Sequence, residues 1–135
     1  MRRDRENCES EAMGLRVLIV DDNKPFLDAA RLLLEREGMT VAGVASTSAD
    51  ALRQAVSVPA DVVLVDVFLG EESGFELARQ LVERGPDSRP TVILISTYDV
   101  GDFEDLLAAT PAAGFLSKTE LSANAIRRIV DGRLP

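Results

Sequence analysis

The sequence predicts an α/β fold, a parallel sheet built from five successive βα units. Three observations carry that prediction. From Leu15 onward, short β-rich apolar runs alternate with longer segments whose apolar residues recur at helical spacing. The run Val62-Val63-Leu64-Val65 is apolar without alternation, which suits a central strand covered on both faces. Lastly, Asp21-Asp22, Asp66, Ser96 and Lys118 each stand at the end of their own apolar run.

The first unit pairs a strand at Leu15–Val20 with a helix from about Pro25 to Glu37, where Phe26, Ala30 and Leu33 fall at i, i+4 and i+7 on one face. Pro25 suits the first turn of that helix and Gly38 its end. The second unit is a strand at Thr40–Ala45 and a helix from about Ser48 to Val56, with Thr47 as N-cap and Ala51, Leu52 and Ala55 facing inward. The third strand, Asp61–Val65, ends at Asp66. Ser73-Gly-Phe-Glu76 then has capping-box spacing and starts a helix through Leu77 and Leu81 to Gly85-Pro86. The fourth strand, Thr91–Ile95, leads through Ser96-Thr97 to a short helix around Asp102–Ala109. A brief fifth strand near Ala113–Leu116 precedes Lys118 and a last helix from about Glu120 to Asp131.

A chain of 135 residues with 46% hydrophobic content can bury one core, so one domain is expected over residues 15–132, with a charged, aperiodic and disordered leader at 1–14 and no attached output domain. The net charge of −8 repels phosphate backbones and anionic headgroups, which argues against direct nucleic-acid or membrane binding. Cys8 has no second thiol to pair with, and Glu6, Glu9 and Glu11 break the leader where a signal peptide needs an apolar stretch, so a cytoplasmic setting is expected. The apolar runs are strand-sized and too short to span a bilayer. There is no histidine, which removes phosphohistidine, histidine-based triads and histidine metal sites from consideration.

Ligands of an open parallel α/β sheet bind outside the carboxyl ends of its strands, so residues far apart in sequence meet there. Asp21, Asp22 and Asp66 converge if the first and third strands are neighbours, and three carboxylates do not crowd together without a cation. Mg²⁺ fits, since it takes hard oxygen ligands, keeps several waters and bridges to phosphate. A carboxylate can also act as nucleophile and form an aspartyl phosphate. Phosphoryl transfer then requires positioning and neutralisation of the equatorial oxygens, which Mg²⁺, the Lys118 ammonium and the Ser96 hydroxyl can supply. Taken singly, Asp21 or Asp22 reads as a helix cap, Asp66 as a turn residue, Ser96 as a loop hydroxyl and Lys118 as a surface charge. Their joint placement at four strand ends favours the site.

These residues resemble the receiver domain of bacterial two-component response regulators, from Leu15 to about Val130. The resemblance rests on Val-Leu-Ile-Val-Asp21-Asp22-Asn, on Val-Val-Leu-Val-Asp66-Val-Phe-Leu-Gly followed by Ser73-Gly-Phe-Glu-Leu, on Val-Ile-Leu-Ile-Ser96-Thr, and on Gly-Phe115-Leu-Ser-Lys118. It implies a flavodoxin-like doubly wound (βα)5 sheet of strand order 2-1-3-4-5. It makes Asp66 the phosphoacceptor, Asp21 and Asp22 the acidic Mg²⁺ pair, and the Phe68 backbone carbonyl a further metal ligand. Ser96 becomes the switch hydroxyl, Phe115 the switch aromatic and Lys118 the phosphate-binding lysine; read from the sequence alone, Phe115 is a core residue of the fifth strand. The implied partners are a histidine kinase or phosphotransfer protein upstream and a protein target downstream. A homodimer through the last helices is also allowed, with Arg127, Arg128 and Asp131 as cross-subunit candidates; read alone, these make a solvated helix face.

The sequence departs from the family pattern at several places. Gly70 stands where a proline is usual after the phosphoacceptor, and Thr119 where a proline usually follows the lysine. A non-proline cis peptide costs about 2.5–4 kcal/mol, so a trans bond is expected after Lys118. Thr97 is bulkier than the usual neighbour of the switch hydroxyl. Phe68 and Tyr98 occupy positions where polar side chains would help place a water, which predicts slow self-dephosphorylation. The competing readings are a pseudo-receiver that works without phosphorylation, and a small aspartyl-phosphate phosphohydrolase. The filled core positions argue against the first. Against the second, Phe68 stands where a second aspartate would be needed, and no G-x-x-x-x-G-K-[ST] loop is present.

Overall fold

A computed structural model describes residues 15–57, 60–84, 90–97 and 104–132. The leader, Cys8, Gly85-Pro86, Tyr98 and Asp102, the expected start of the fourth helix, fall outside the described residues. In order the elements are β1 (Arg16–Val20), α1 (Lys24–Arg36), β2 (Thr40–Ala45), α2 (Ser48–Ser57), β3 (Val62–Asp66), α3 (Gly74–Arg84), β4 (Thr91–Ser96), α4 (Glu104–Ala109), β5 (Gly114–Ser117) and α5 (Ala123–Gly132). The five strands form one parallel sheet in the order β2-β1-β3-β4-β5, the flavodoxin-like arrangement anticipated.

The sheet has a core on each face, which explains why its central strands do not alternate apolar and polar residues. Val17, Ile19, Val62, Leu64, Ile93 and Ile95 point to one side and meet Leu27, Ala30 and Leu34 of α1 and Ala123 and Ile126 of α5. Leu18, Val20, Val63, Val65, Val92 and Leu94 point to the other and meet Ala51 of α2 and Leu77, Ala78 and Leu81 of α3. Among the described residues no helix is long and apolar enough to cross a membrane.

Local signals in the sequence set most element ends. Asn23 caps α1 by accepting from the Phe26 N–H at 3.2 Å, and Pro25 occupies the first turn where no amide is needed. The buried stripe of α1 is Leu27, Ala30 and Leu34; Phe26 and Leu33, expected to share one face with Ala30, are half-buried at its edge. Both stripes satisfy helical spacing, and the sheet packs against the one that carries Leu27 and Leu34. Thr47 caps α2 as expected, its hydroxyl accepting from the Asp50 N–H at 3.1 Å. At α3 half of the expected capping box forms: Ser73 accepts from the Glu76 N–H at 3.3 Å, while the Glu76 carboxylate turns to Arg79 and Gln80.

The last helix starts later than the expected Glu120. Lys118–Glu120 form a 3₁₀ turn, and α5 begins at Ala123 with Ser122 as cap, its hydroxyl accepting from the Ala125 N–H at 3.0 Å. Two successive serine caps, Ser117 and Ser122, divide the segment into two turns. Glu37, at the end of α1, accepts from the Ala123 N–H at 2.6 Å. That carboxylate opposes the dipole of its own helix and suits that of α5, so it joins the two helices end to end.

Candidate functional site

Parallel register carries the chemistry-bearing residues to one edge of the sheet. Val20 lies beside Val65, Asp66 beside Ile95 and Ser96 beside Ser117. The residues at or just past these ends, Asp21, Asp66, Ser96 and Lys118, therefore open on one cleft of about 310 Å³, whose wall also includes Asp22, Asn23, Phe68, Gly70 and Thr97. Of the residues assigned a site role that lie among the described residues, Phe115 is not part of this wall. It is half-buried on β5 beside Leu94 and packs against the α2–α3 core.

The cleft concentrates negative charge where water is scarce. Asp21 is fully buried, Asp66 is 7% exposed and Ser96 1%. Asp21, Asp22 and Asp66 each offer an oxygen, and these oxygens lie within 4.8 Å of one another. Lys118 answers part of the charge: its Nζ lies 2.6 Å from Asp21 Oδ2 and donates to Asp66 Oδ2 at 3.4 Å. Its approach to Asp21 is close but off the direction of a hydrogen bond, so Asp21 Oδ2 remains buried without one. Burial, and next the charge of Asp21, push the Asp66 carboxyl from its ordinary 3.8 up to about 6, against the opposing pull of Lys118 and the Phe68 N–H. The trio thus holds more negative charge than one ammonium neutralises. A hard divalent cation with oxygen ligands, such as Mg²⁺, fits this donor set.

Backbone groups aim the carboxylates. The Asn23 N–H donates to Asp21 Oδ1 at 2.9 Å, and the Phe68 N–H to Asp66 Oδ1 at 3.3 Å. Each holds one carboxylate oxygen by a local turn and leaves the other toward Lys118.

Beyond Asp66 the chain makes a small antiparallel hairpin, Phe68–Leu69 against Glu72–Ser73. Gly70 opens its turn at φ +61°, a conformation a proline ring cannot take, so the departure from the family pattern has a structural reason. Glu72 of the hairpin accepts from the Ser48 N–H at 2.8 Å and ties it to the start of α2. Phe68 stands 49% exposed at the cleft.

Thr119 also has a local explanation. Its N–H donates to Ser117 Oγ at 3.3 Å and its hydroxyl lies 2.9 Å from the same oxygen, contacts that a proline lacks. They cap the 3₁₀ turn that Lys118 begins.

Sequence reasoning did not single out Gly74 or Phe26. Gly74 approaches the Asp66 backbone more closely than any side chain allows. Phe26 carries Lys118 Nζ at 4.4 Å from its ring centroid. The Ser73-Gly pair marked a helix start, and Phe26 a core stripe; neither signal spoke of a contact to another strand end.

Residues 17–131 match the family model described as the response regulator receiver domain. The response regulator GacA of Pseudomonas aeruginosa is 32% identical over 123 residues, covering 88% of this chain and 56% of that protein. A protein-glutamate methylesterase/protein-glutamine glutaminase of Hahella chejuensis is 35% identical over 86 residues, 64% of this chain and 24% of its own length. The chain spans about half the length of the first curated relatives it matches, 50% and 56%. Among solved structures, the signal receiver domain of a modulated diguanylate cyclase from Desulfovibrio desulfuricans superposes with a TM-score of 0.71 at 29% identity, covering 88% of this chain and 92% of that one.

Proposed function

The chain belongs to the response regulator receiver domain family, and from that membership we propose that it is a phosphorylatable switch whose acceptor is Asp66. The observation that carries this reading is the meeting of Asp21, Asp22, Asp66 and Lys118 in one cleft at the carboxyl edge of the sheet.

In the proposed reaction a carboxylate oxygen of Asp66 forms a bond to phosphorus while the bond from phosphorus to the donor's leaving atom breaks. The leaving group departs with the bonding electron pair, as neutral imidazole from a phosphohistidine protonated on its other ring nitrogen or as the acetate anion from acetyl phosphate. For a histidine kinase or phosphotransfer protein the broken bond is P–N; for acetyl phosphate it is P–O. Asp21, Asp22, Asp66 and the Phe68 backbone carbonyl would hold Mg²⁺, which supplies charge neutralisation to the phosphoryl oxygens. Lys118 sits where its ammonium can turn from Asp66 to a phosphoryl oxygen, and Ser96 offers a hydroxyl from the end of β4.

Transfer replaces a monoanionic carboxylate by a bulkier, more highly charged group and so changes what Lys118 and Ser96 face. Movement of Ser96 toward the phosphoryl group vacates volume beside β5, and Phe115 is the half-buried side chain positioned to respond. The output is then a population shift in the surface around α4, β5 and α5, read by a downstream protein.

The test is the mass of the protein after incubation with Mg²⁺ and acetyl phosphate, beside an Asp66→Ala variant. One added phosphoryl group in the wild type and none in the variant is expected. A chain that binds Mg²⁺ yet takes up no phosphoryl group, from acetyl phosphate or from a phosphorylated histidine kinase, would overturn the proposal in favour of a phosphorylation-independent interaction module.

A further inference from the structure

Lys118 is held from two sides, and one of them is apolar. Its Nζ lies 2.6 Å from Asp21 Oδ2 and 3.4 Å from Asp66 Oδ2, while the Phe26 ring stands 4.4 Å away at its centroid. The lysine side chain is only 10% exposed, so the ammonium has exchanged much of its water for these partners. A cation over an aromatic face gains about 0.5–1 kcal/mol when exposed and about 2 when desolvated. The ring is itself fixed: Phe26 is half-buried, packs against the α1–α5 core, and its N–H donates to the capping Asn23 at 3.2 Å.

The same lysine stands where a metal ion must go. Asp21 Oδ1 already accepts from the Asn23 N–H at 2.9 Å, which leaves Oδ2 as its buried oxygen without a hydrogen bond. A divalent cation drawn to the three carboxylates shares or takes that oxygen, and the ammonium then faces like charge with weakened carboxylate support. Its remaining partners are Asp66 Oδ2, at 3.4 Å and itself drawn on by the cation, and the Phe26 ring.

We infer that Phe26 is a positioning residue that keeps the Lys118 ammonium beside the cleft when a divalent cation replaces it at Asp21. The inference rests on the reading of Asp21, Asp22 and Asp66 as a metal site. It assigns to the aromatic ring a differential role: in the metal-free protein the carboxylates alone can retain Lys118, whereas in the metal-bound protein the ring contributes a larger share of what holds it. Removing the ring therefore costs the metal-bound state more.

Calorimetric titration with Mg²⁺ alone tests this without any phosphoryl donor, on wild type, Phe26→Leu, Phe26→Trp, Lys118→Met and the Phe26→Leu/Lys118→Met double variant, with circular dichroism establishing that each is folded. The expected result is that Phe26→Leu weakens Mg²⁺ binding measurably but by less than the roughly 30-fold of a whole desolvated cation–π contact, because the ring meets the ammonium in both states and only the difference is read. Phe26→Trp keeps the wild-type affinity or improves it, and in the Lys118→Met background Phe26→Leu has no further effect. Equal Mg²⁺ affinity of Phe26→Leu and wild type would overturn the inference. So would an equal loss with and without Lys118, which a purely packing role produces. Wild-type protein that binds no Mg²⁺ would overturn the metal site and this inference together, a result distinct from the other two.

Discussion

Gly74 and Asp66 meet backbone to backbone: a Cβ added to Gly74 would stand 2.0 Å from the Asp66 carbonyl oxygen and 2.8 Å from its carbonyl carbon. The contact joins the first residue of α3 to the last residue of β3, and the Gly74 N–H donates to the Val67 carbonyl at 2.9 Å beside it. Both neighbours are main chain, so neither can yield by changing rotamer. Gly74→Ala is therefore expected to destabilise the protein by about 2–3 kcal/mol, at the upper part of the range for overpacking, and to weaken Mg²⁺ binding because Asp66 is displaced. Thermal melts with and without Mg²⁺ check this; a variant as stable as wild type would show that α3 slides away freely.

The charge on Asp66 makes the metal-free fold less stable as pH rises. Its carboxyl is raised from 3.8 to about 6 in the folded protein, first by burial and then by Asp21. The folded state thus holds the proton more tightly than the unfolded one. Stability falls as pH climbs through the window between these values, and the loss is complete above it. Asp66→Asn removes that dependence and, without metal at pH 7.5, is expected to be more stable than wild type by about 1–2 kcal/mol, allowing for solvent screening in the open cleft. Mg²⁺ should raise the melting temperature of the wild type and have much less effect on the variant. Denaturant unfolding at pH 5 and pH 7.5 measures both; a wild type whose stability rises across that interval while Asp66→Asn stays flat would contradict the assignment.

The sheet was legible because its determinants are local and repeated. Val62 to Val65 declare a strand covered on both faces, and Pro25, Thr47 and Ser73 declare helix starts, while the cap of α1 proved to be Asn23 rather than Asp21 or Asp22. The gathering of Asp21, Asp22, Asp66, Ser96 and Lys118 was legible too, since a parallel sheet brings all its carboxyl ends to one edge. Other features were not. The turn of α1 about its axis depends on which of two adjacent stripes the sheet accepts, the late start of α5 on competition between Ser117 and Ser122, and the Glu37–Ala123 bond on contact between residues 86 apart. The approach of Gly74 to Asp66 and of Phe26 to Lys118 likewise exists only once the strands are stacked in register.

Restoring the family's usual proline at position 70 is expected to harm this chain. Gly70 has φ +61°, at the first central position of a two-residue hairpin turn, and a proline ring fixes φ near −65°. Gly70→Pro must therefore unmake the Phe68–Leu69 and Glu72–Ser73 pairing and loosen the Glu72 bond to Ser48. A loss of about 2–3 kcal/mol is expected, against about 1–2 for Gly70→Ala, which keeps the amide but strains the left-handed backbone. Denaturant midpoints of the two variants give the comparison, and a Gly70→Pro protein at least as stable as Gly70→Ala would show that the loop adopts another path at no cost.

Phe68 sets the expected lifetime of a phosphoryl group on Asp66. Its side chain lines the cleft at half exposure, and its N–H holds Asp66 Oδ1 at 3.3 Å, so the side chain at this position borders the acceptor. Hydrolysis of an aspartyl phosphate needs a water placed in line with the departing carboxylate, and a phenyl ring offers that water neither a donor nor an acceptor. Phe68→Asn keeps the backbone amide that orients Asp66 and supplies both. It is expected to speed loss of the phosphoryl group by about 10-fold, less than the roughly 100-fold or more of a fully positioned proton-transfer group because an amide places the water without taking its proton, while uptake from acetyl phosphate changes much less. Mass spectrometry after removal of the donor follows the decay directly. Wild-type protein that loses its phosphoryl group within seconds, or a Phe68→Asn variant that holds it longer, would show that the ring does not shield the acceptor from water.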